Sequence, residues 1–173
     1  MTKYLTVVAA LLCVSQLHAA DLTRDDVVGK WLCPTKYESV YTLTLDAYEY
    51  FADGKSKSSG IVRTFTGTDA VLTFAVQSSG TWSFDKGILT ETRITQSVEP
   101  RHNEKTQAVL AQSKELAQFA DDWQKALSDN SGSEAERTVK LQWTRDEVDS
   151  NKIFVRQIDG TGGEGFCYRV KPS

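Results

Sequence analysis

The chain has 173 residues and a formal net charge of −3, with 20 lysines and arginines against 23 aspartates and glutamates. A mildly acidic chain of this length suits one domain with a substantial core, and it lacks the basic face that binding to nucleic acid requires. Beyond the N-terminus no apolar run approaches the roughly 18 residues of a transmembrane helix, so we expect neither nucleic-acid binding nor membrane insertion.

Residues 1–20 have the pattern of a secretory signal peptide. Lys3 is followed by an apolar stretch that ends in the small residues Ala19 and Ala20. A positive start, a short apolar segment and small residues before the cleavage site are typical of such peptides. We therefore expect a periplasmic or secreted protein whose residues 21–173 form a single β-domain.

Two cysteines, Cys33 and Cys167, remain after cleavage at this point. Oxidising compartments favour disulfides, and two cysteines allow only one intramolecular pairing. A redox-active pair would show a close spacing such as C-x-x-C, which this sequence lacks. We therefore predict a structural disulfide between the first and last parts of the domain.

Short strands separated by turn signals dominate the first part of the domain, after a short helical segment at residues 22–28. Asp53-Gly54 is a strong tight-turn signal, and similar signals recur every 8–12 residues. The predicted strands cover residues 40–45, 48–52, 56–65, 70–77, 81–84 and 88–98. This rhythm is typical of an antiparallel sandwich or barrel.

The pattern changes after Pro100 to that of one long amphipathic helix, at about residues 103–128. This segment has neither glycine nor proline from residue 104 to 128, and its apolar residues recur at helical spacing. They are Val109, Leu116, Phe119, Ala120, Trp123 and Leu127. Strands resume at residues 138–144, 152–158 and 165–171. We expect the helix to pack on the sheet; the alternatives are a lid over a barrel mouth and a face offered to another protein.

A G-x-W motif, Gly29-Lys30-Trp31, opens the first long strand. A tryptophan at this point can plug one end of a small barrel, and the glycine lets the backbone approach closely. A basic side chain from the end of the chain can lie over the indole face, and Arg156 and Arg169 are the candidates.

These features resemble the lipocalin and calycin-type barrels, and more closely the small secreted bacterial domains described as lipocalin-like. In that group a G-x-W start is followed by an aromatic residue and a D-G turn, then by an S-G-x-W strand and a leucine-threonine-glutamate strand. The corresponding residues are 50–55, 79–84 and 87–92. The resemblance implies an antiparallel barrel or strongly curved sheet, with the helix at 103–128 added before the last strands. It also implies a binding domain and not a catalyst.

The expected function is therefore the binding of a small apolar ligand inside the β-domain. Four aromatic residues are candidates for the pocket lining: Tyr41, Tyr48, Tyr50 and Trp82. One alternative is a periplasmic interaction or inhibitor module with a filled core, whose partner is another secreted protein. A third is a glycan-processing enzyme with a carboxylate pair. No cofactor and no metal are expected, because His102, the one histidine left after cleavage of the signal peptide, has no nearby cysteines and cannot build a standard zinc site.

Overall fold

Eight antiparallel strands form most of the molecule in a computed structural model, which describes residues 22–149, 151–160 and 162–171. The strands are β1 Gly29–Tyr37, β2 Thr42–Tyr50, β3 Lys55–Phe65, β4 Val71–Asp85, β5 Ile88–Pro100, β6 Thr138–Arg145, β7 Lys152–Gln157 and β8 Glu164–Arg169. Each strand pairs with its neighbour in the sequence, and β8 pairs with β1, so the sheet is a closed barrel. The predicted signal peptide lies outside the described residues.

Two pairs of predicted strands are single long strands in the barrel. β2 covers most of the two segments predicted at 40–45 and 48–52, and β4 covers those predicted at 70–77 and 81–84. The Ser78-Ser79-Gly80 segment, which has the composition of a turn, continues β4 through a register shift against β5 between Ser79 and Gly80. A Cβ at Gly80 would collide with the Thr92 carbonyl oxygen, so glycine permits the close approach of the two strands.

The first and last strands close the barrel. Trp31 of β1 pairs with Arg169 of β8, and Leu32 pairs with Tyr168. The predicted disulfide between Cys33 and Cys167 is confirmed, and it links the two strands inside the barrel, where both cysteines are buried. Closure of the sheet satisfies the backbone groups that an open edge would leave exposed.

One end of the barrel is filled by an apolar cluster, which we call the floor. A short helix, α1 (Arg24–Val27), packs beneath it through the fully buried Val27. The floor consists of Val27, Trp31, Cys33, Tyr50, Trp82, Leu89, Trp143, Ile153, Val155 and Cys167. Four aromatic side chains in this set make the floor a rigid plug rather than an opening.

The predicted helical insertion is confirmed between β5 and β6, and it is divided into two helices. α2 (Glu104–Gln112) and α3 (Lys114–Ser128) meet at Ser113, which has extended backbone angles. The Ser113 hydroxyl accepts a hydrogen bond from the Leu116 amide at 3.2 Å and so caps α3. No helix in the part of the chain that the structure describes is long and apolar enough to cross a membrane.

The two helices form a lid at the end of the barrel opposite the floor. Their inner face takes part in a second apolar cluster together with β3 and β4. Val62, Leu72 and Phe74 of the strands and Ala120 of α3 form this cluster, with Leu110, Trp123 and Leu127 of the lid packed against it. The Trp123 indole nitrogen also donates to the Thr64 hydroxyl oxygen at 2.9 Å, which ties α3 to β3.

Candidate functional site

A cavity of about 240 Å³ lies inside the barrel between the floor and the lid. Trp143 and Cys167 of the floor bound it on one side, and Leu127 of the lid bounds it on the other. Polar and apolar side chains share the lining between these limits. The polar lining residues are Thr35, Tyr37, Thr44, Asp46, Tyr48, Tyr50, Ser58, Ser78, Glu91, Arg93, Gln96, Arg137 and Gln157. The aliphatic ones are Val62, Val76, Val139, Leu141 and Val155. The middle of the barrel is thus amphipathic and contains charged groups.

Side-chain alternation along β2 explains how polar side chains reach the middle of the barrel. Successive side chains of a strand point to opposite faces of the sheet. Thr44 and Asp46 line the cavity, whereas Leu43 and Leu45 lie on the outer face with exposed fractions of 42% and 47%. The apolar residues of this strand therefore face solvent, the reverse of an ordinary half-buried strand.

The four aromatic residues predicted to line a pocket divide into three groups. Tyr48 and Tyr50 line the cavity, with their rings stacked at a centroid distance of 5.6 Å. Trp82 lies in the floor, where its indole nitrogen donates to the Phe51 carbonyl oxygen at 3.0 Å. Tyr41 must be removed from the predicted set, because it is 73% exposed and occupies the left-handed turn before β2.

Trp143 is a lining residue that the sequence analysis missed. Its ring makes edge contacts with Trp31 and Tyr50, at centroid distances of 5.2 and 5.9 Å. Its side chain is almost completely buried, yet the indole N–H has no hydrogen-bond partner among the described residues. Buried tryptophan N–H groups usually find a partner, so this unsatisfied donor beside the cavity is unusual.

Glu91 of β5 brings a carboxyl group to the cavity. It accepts hydrogen bonds from the Ser56 hydroxyl at 2.7 Å and from the Tyr50 hydroxyl at 3.3 Å. Burial raises the pKa of Glu91, and the charge on Asp46 adds to this rise, while the two hydroxyl groups oppose it. The carboxyl group is therefore held in a fixed position but poorly compensated for its charge.

Asp46 of β2 is the second carboxyl group in the cavity. Burial raises its pKa from 3.8 to about 6, and the neighbouring Thr44 side chain opposes the rise. Gly60 on β3 makes room for the carboxyl group, because a Cβ at that position would collide with an Asp46 oxygen. Burial raises the pKa of Tyr37 to about 12, and the charge on Asp46 adds to this rise.

Two arginines also reach the cavity, but their guanidinium groups are engaged with the loop that follows α3. Arg93 donates to the Asn130 side chain at 3.0 Å and to Gln96 at 2.9 Å. Arg137 donates to the Arg93 and Gly132 carbonyl oxygens at 2.7 and 3.1 Å. Both arginines thus fix the loop beside the lid.

The G-x-W motif lies at the floor and not in the cavity. Gly29 has a positive φ of 129°, and the Trp31 indole nitrogen donates to the Val27 carbonyl oxygen at 2.8 Å. The Arg169 guanidinium lies 4.4 Å from the centre of the Trp31 ring. Arg156, the other candidate, lies over Phe154 and faces Glu164 at 3.8 Å, so it does not reach the indole.

Asp46 and Glu91 are the site residues that sequence reasoning did not select. A carboxylate within a β-strand is usually a solvated outer residue, and the leucines of β2 suggested an inward apolar face. One sequence pattern could have indicated Asp46 as a pocket residue. Thr42, Thr44 and Asp46 share one face of the strand with Tyr48, which was a candidate pocket residue. No model of a known protein family matches this chain, and no curated protein matches it.

Proposed function

We propose that this chain is a secreted, non-enzymatic binding protein of the lipocalin-like kind, which holds a small ligand in the barrel cavity. The observation that carries the proposal is the cavity of about 240 Å³ between floor and lid. Drug-sized ligands occupy pockets of roughly 300–1,000 Å³, so the ligand is smaller than these. The lid above the cavity provides an element that can open without disturbing the pairing of the eight strands.

The polar groups in the lining favour a different ligand from the small apolar one expected from the sequence. An apolar ligand would leave the carboxyl groups of Asp46 and Glu91 buried against hydrocarbon, which is unfavourable without compensating hydrogen bonds. Tyr48 and Trp143 offer ring faces and edges as well. A small molecule with both a polar head and an apolar part fits this lining better than a purely apolar one.

The lipocalin-like assignment is supported by the path of the chain and by one end of the barrel. All strands follow an up-and-down order, and the closure between β8 and β1 lies next to the G-x-W motif. A short helix and a stacked arginine, Arg169, cover Trp31 at that end. These are the features that the resemblance in the sequence leads one to expect.

The other two candidate functions are less well supported by the geometry. An interaction module with a filled core has no use for an internal cavity. A glycosidase works with two carboxyl groups whose environments push their pKa values apart, one acid staying protonated and the other ionised. In this cavity burial raises the pKa of both Asp46 and Glu91, which gives no such division of roles.

The binding function is tested by native mass spectrometry of the mature protein after incubation with a small-molecule extract of the producing cells. A Ser78→Phe variant fills the cavity, and Gln77→Phe on the exposed face of the same strand is its matched control. We expect a retained small molecule on the wild-type and Gln77→Phe proteins and none on Ser78→Phe. A wild-type protein with no mass addition contradicts the proposal, and a retained protein favours the interaction module.

Secretion is a separate part of the proposal, supported by the pattern of residues 1–20 and by the Cys33–Cys167 disulfide. It is tested by determining the N-terminal sequence of the protein purified from the culture medium and from the periplasm. We expect a chain that begins at Asp21. A cytoplasmic protein with an intact N-terminus contradicts secretion but leaves the binding function to its own test.

A further inference from the structure

The cavity contains two carboxyl groups without an ion-pair partner. Asp46 and Glu91 both line the cavity, and no ion pair among the described residues involves either of them. Arg93 and Arg137 line the cavity as well and bring two positive charges, but their guanidinium groups donate hydrogen bonds to neutral oxygens, including those of the Asn130 side chain and the Arg93 backbone. A buried carboxylate without a partner is costly, so a charged group supplied from outside would stabilise both.

Aromatic rings surround the same part of the cavity. Tyr48 and Tyr50 are stacked, and Trp143 meets Tyr50 edge to face. The face of an aromatic ring attracts a cation, by up to about 2 kcal/mol when water is excluded. Carboxylates and aromatic rings together are groups with which an organic cation interacts favourably.

A third feature, an unsatisfied hydrogen-bond donor, bears on the chemical class of the ligand. Trp143 lines this cavity, and its indole N–H is a buried donor that no described residue satisfies. An ammonium group cannot serve as its partner, because it has donors only. A hydrogen-bond acceptor on the ligand, in addition to its positive charge, would satisfy this donor.

We propose that the ligand is a small protonated amine that also bears a hydrogen-bond acceptor. Its ammonium group binds the carboxylates of Asp46 and Glu91, and its acceptor receives the indole N–H of Trp143. This inference rests on the proposed binding function and names its ligand class. A metal ion is not the cation, because no group of three potential metal-ligating side chains occurs in the described part of the chain.

Binding of such a ligand depends on pH, because the ammonium group needs ionised carboxylates. The pKa of Asp46, about 6, places the loss of its charge within the range of ordinary buffers. The other titratable or charged groups that line the cavity are Tyr37, Tyr48, Tyr50, Glu91, Arg93 and Arg137. Burial also raises the pKa of Glu91, so protonation of this carboxyl group acts in the same direction. Affinity therefore falls as the pH is lowered through about 6.

Isothermal titration calorimetry with two sets of matched compounds tests the inference. The first set is tyramine, 4-propylphenol and 4-hydroxyphenylacetate; the second is ethanolamine, 1-propanol and glycolate. Each contains a protonated amine, a neutral analogue and an anion of similar size. We expect an amine to bind at least about tenfold more tightly than its analogues at pH 7.5, the difference that one good charged contact provides.

The protein variants locate the binding site of the amine. Asp46→Asn and Glu91→Gln keep the shape of each side chain and should each weaken amine binding about tenfold or more. Glu49→Gln, on the outer face of β2, is the matched control and should leave it unchanged. Tighter binding of a neutral compound or an anion overturns the inference while the binding function stands. Failure of both amines to bind also overturns it, and the mass-spectrometric test then decides the binding function by itself.

Discussion

Asp46 is a residue whose burial acts against the stability of the empty protein. Its pKa is raised from 3.8 to about 6 in the folded state, so the folded protein binds a proton more tightly than the unfolded chain does. The contribution of Asp46 to the free energy of unfolding is therefore most favourable below about pH 4, where the side chain is protonated. This favourable contribution is lost as the pH rises through about 6. This pH dependence is opposite to that of a salt-bridged aspartate.

Replacement of Asp46 by asparagine should therefore stabilise the ligand-free protein at pH 7.5. Asparagine resembles the protonated side chain at every pH, so the free energy of unfolding should rise by up to about 3 kcal/mol. Urea denaturation at pH 7.5 and at pH 4 measures the difference between variant and wild type, which should be close to zero at pH 4. Asp85→Asn, on the exposed end of β4, is the control and should show no such difference. Destabilisation of Asp46→Asn at pH 7.5 would contradict the argument.

The site residues show why single positions were difficult to predict. In β2 the leucines alternate with threonines, and an amphipathic strand usually places its leucines inside. Here Thr44 and Asp46 are inside, because the barrel encloses a cavity with polar groups at this level instead of a packed core. Tyr48 and Tyr50, which the sequence suggested as pocket residues, lie in the cavity wall. The partner of each buried carboxyl group depends on contacts between distant strands, which one sequence does not reveal.

The lid is attached to the barrel through few fully buried side chains. α3 presents a single buried residue, Ala120, and its other inward side chains are only partly buried. Among the described residues, one hydrogen bond joins a side chain of α3 to a side chain of β3. In it the Trp123 indole nitrogen donates to the Thr64 hydroxyl oxygen. Elements with few buried contacts open locally at a lower free energy than the core.

Replacement of Trp123 by alanine should loosen the lid without unfolding the barrel. Amide hydrogen exchange in residues 104–128 should become about tenfold faster or more, because the indole contacts and the Thr64 bond are lost together. Exchange in β1 to β4 should not change. Phe119→Ala removes an aromatic side chain of the same helix that is 44% exposed and should have a much smaller effect. Equal effects of the two variants would show that Trp123 does not anchor the lid.

At the floor, Arg169 connects the last strand to the segment that precedes the first. Its guanidinium lies over Trp31 and donates to the carbonyl oxygens of Val28, at 3.0 Å, and Asp26. Arg169→Ala removes the cation–π contact and leaves carbonyl groups unpaired, so we expect a loss of about 3 kcal/mol in the free energy of unfolding. Arg156→Ala, at an exposed ion pair of the neighbouring strand, should change it by less than about 0.5 kcal/mol. Urea denaturation compares the two, and similar losses would contradict the role assigned to Arg169.

Strand boundaries were less predictable than the strands themselves. The turn at Asp53-Gly54 connects β2 and β3 as expected, because glycine adopts the positive φ of 85° at position 54. Ser78-Ser79-Gly80 has a similar composition but lies within β4, since pairing with β3 and β5 on both sides overrides its local preference. The division of the helical segment at Ser113 was missed for a related reason: serine is tolerated within a helix as well as at its N-cap.

For the molecule as a whole, closure of the barrel follows from the two ends of the chain. Strand rhythm alone is compatible with a barrel and with a strongly curved sheet, because it does not determine whether the edge strands meet. The G-x-W motif and the pair of distant cysteines favoured closure, and both lie where β1 meets β8. The volume of the cavity, in contrast, depends on how much of the barrel interior the side chains of all eight strands fill together. No local sequence pattern determines that total.

The Cys33–Cys167 disulfide should be the largest single contribution to the stability of the closed barrel. It joins cysteines 134 residues apart, and in the chain-entropy model a loop of this length corresponds to about 4–5 kcal/mol. The Cys33→Ser/Cys167→Ser double variant should lose about this amount in urea denaturation, and its unfolding should expose more surface because the unfolded chain is less restricted. Wild-type protein in excess reductant should show the same loss. A decrease below about 1 kcal/mol would mean that β1 and β8 are held together by backbone pairing and the Trp31–Arg169 contact alone.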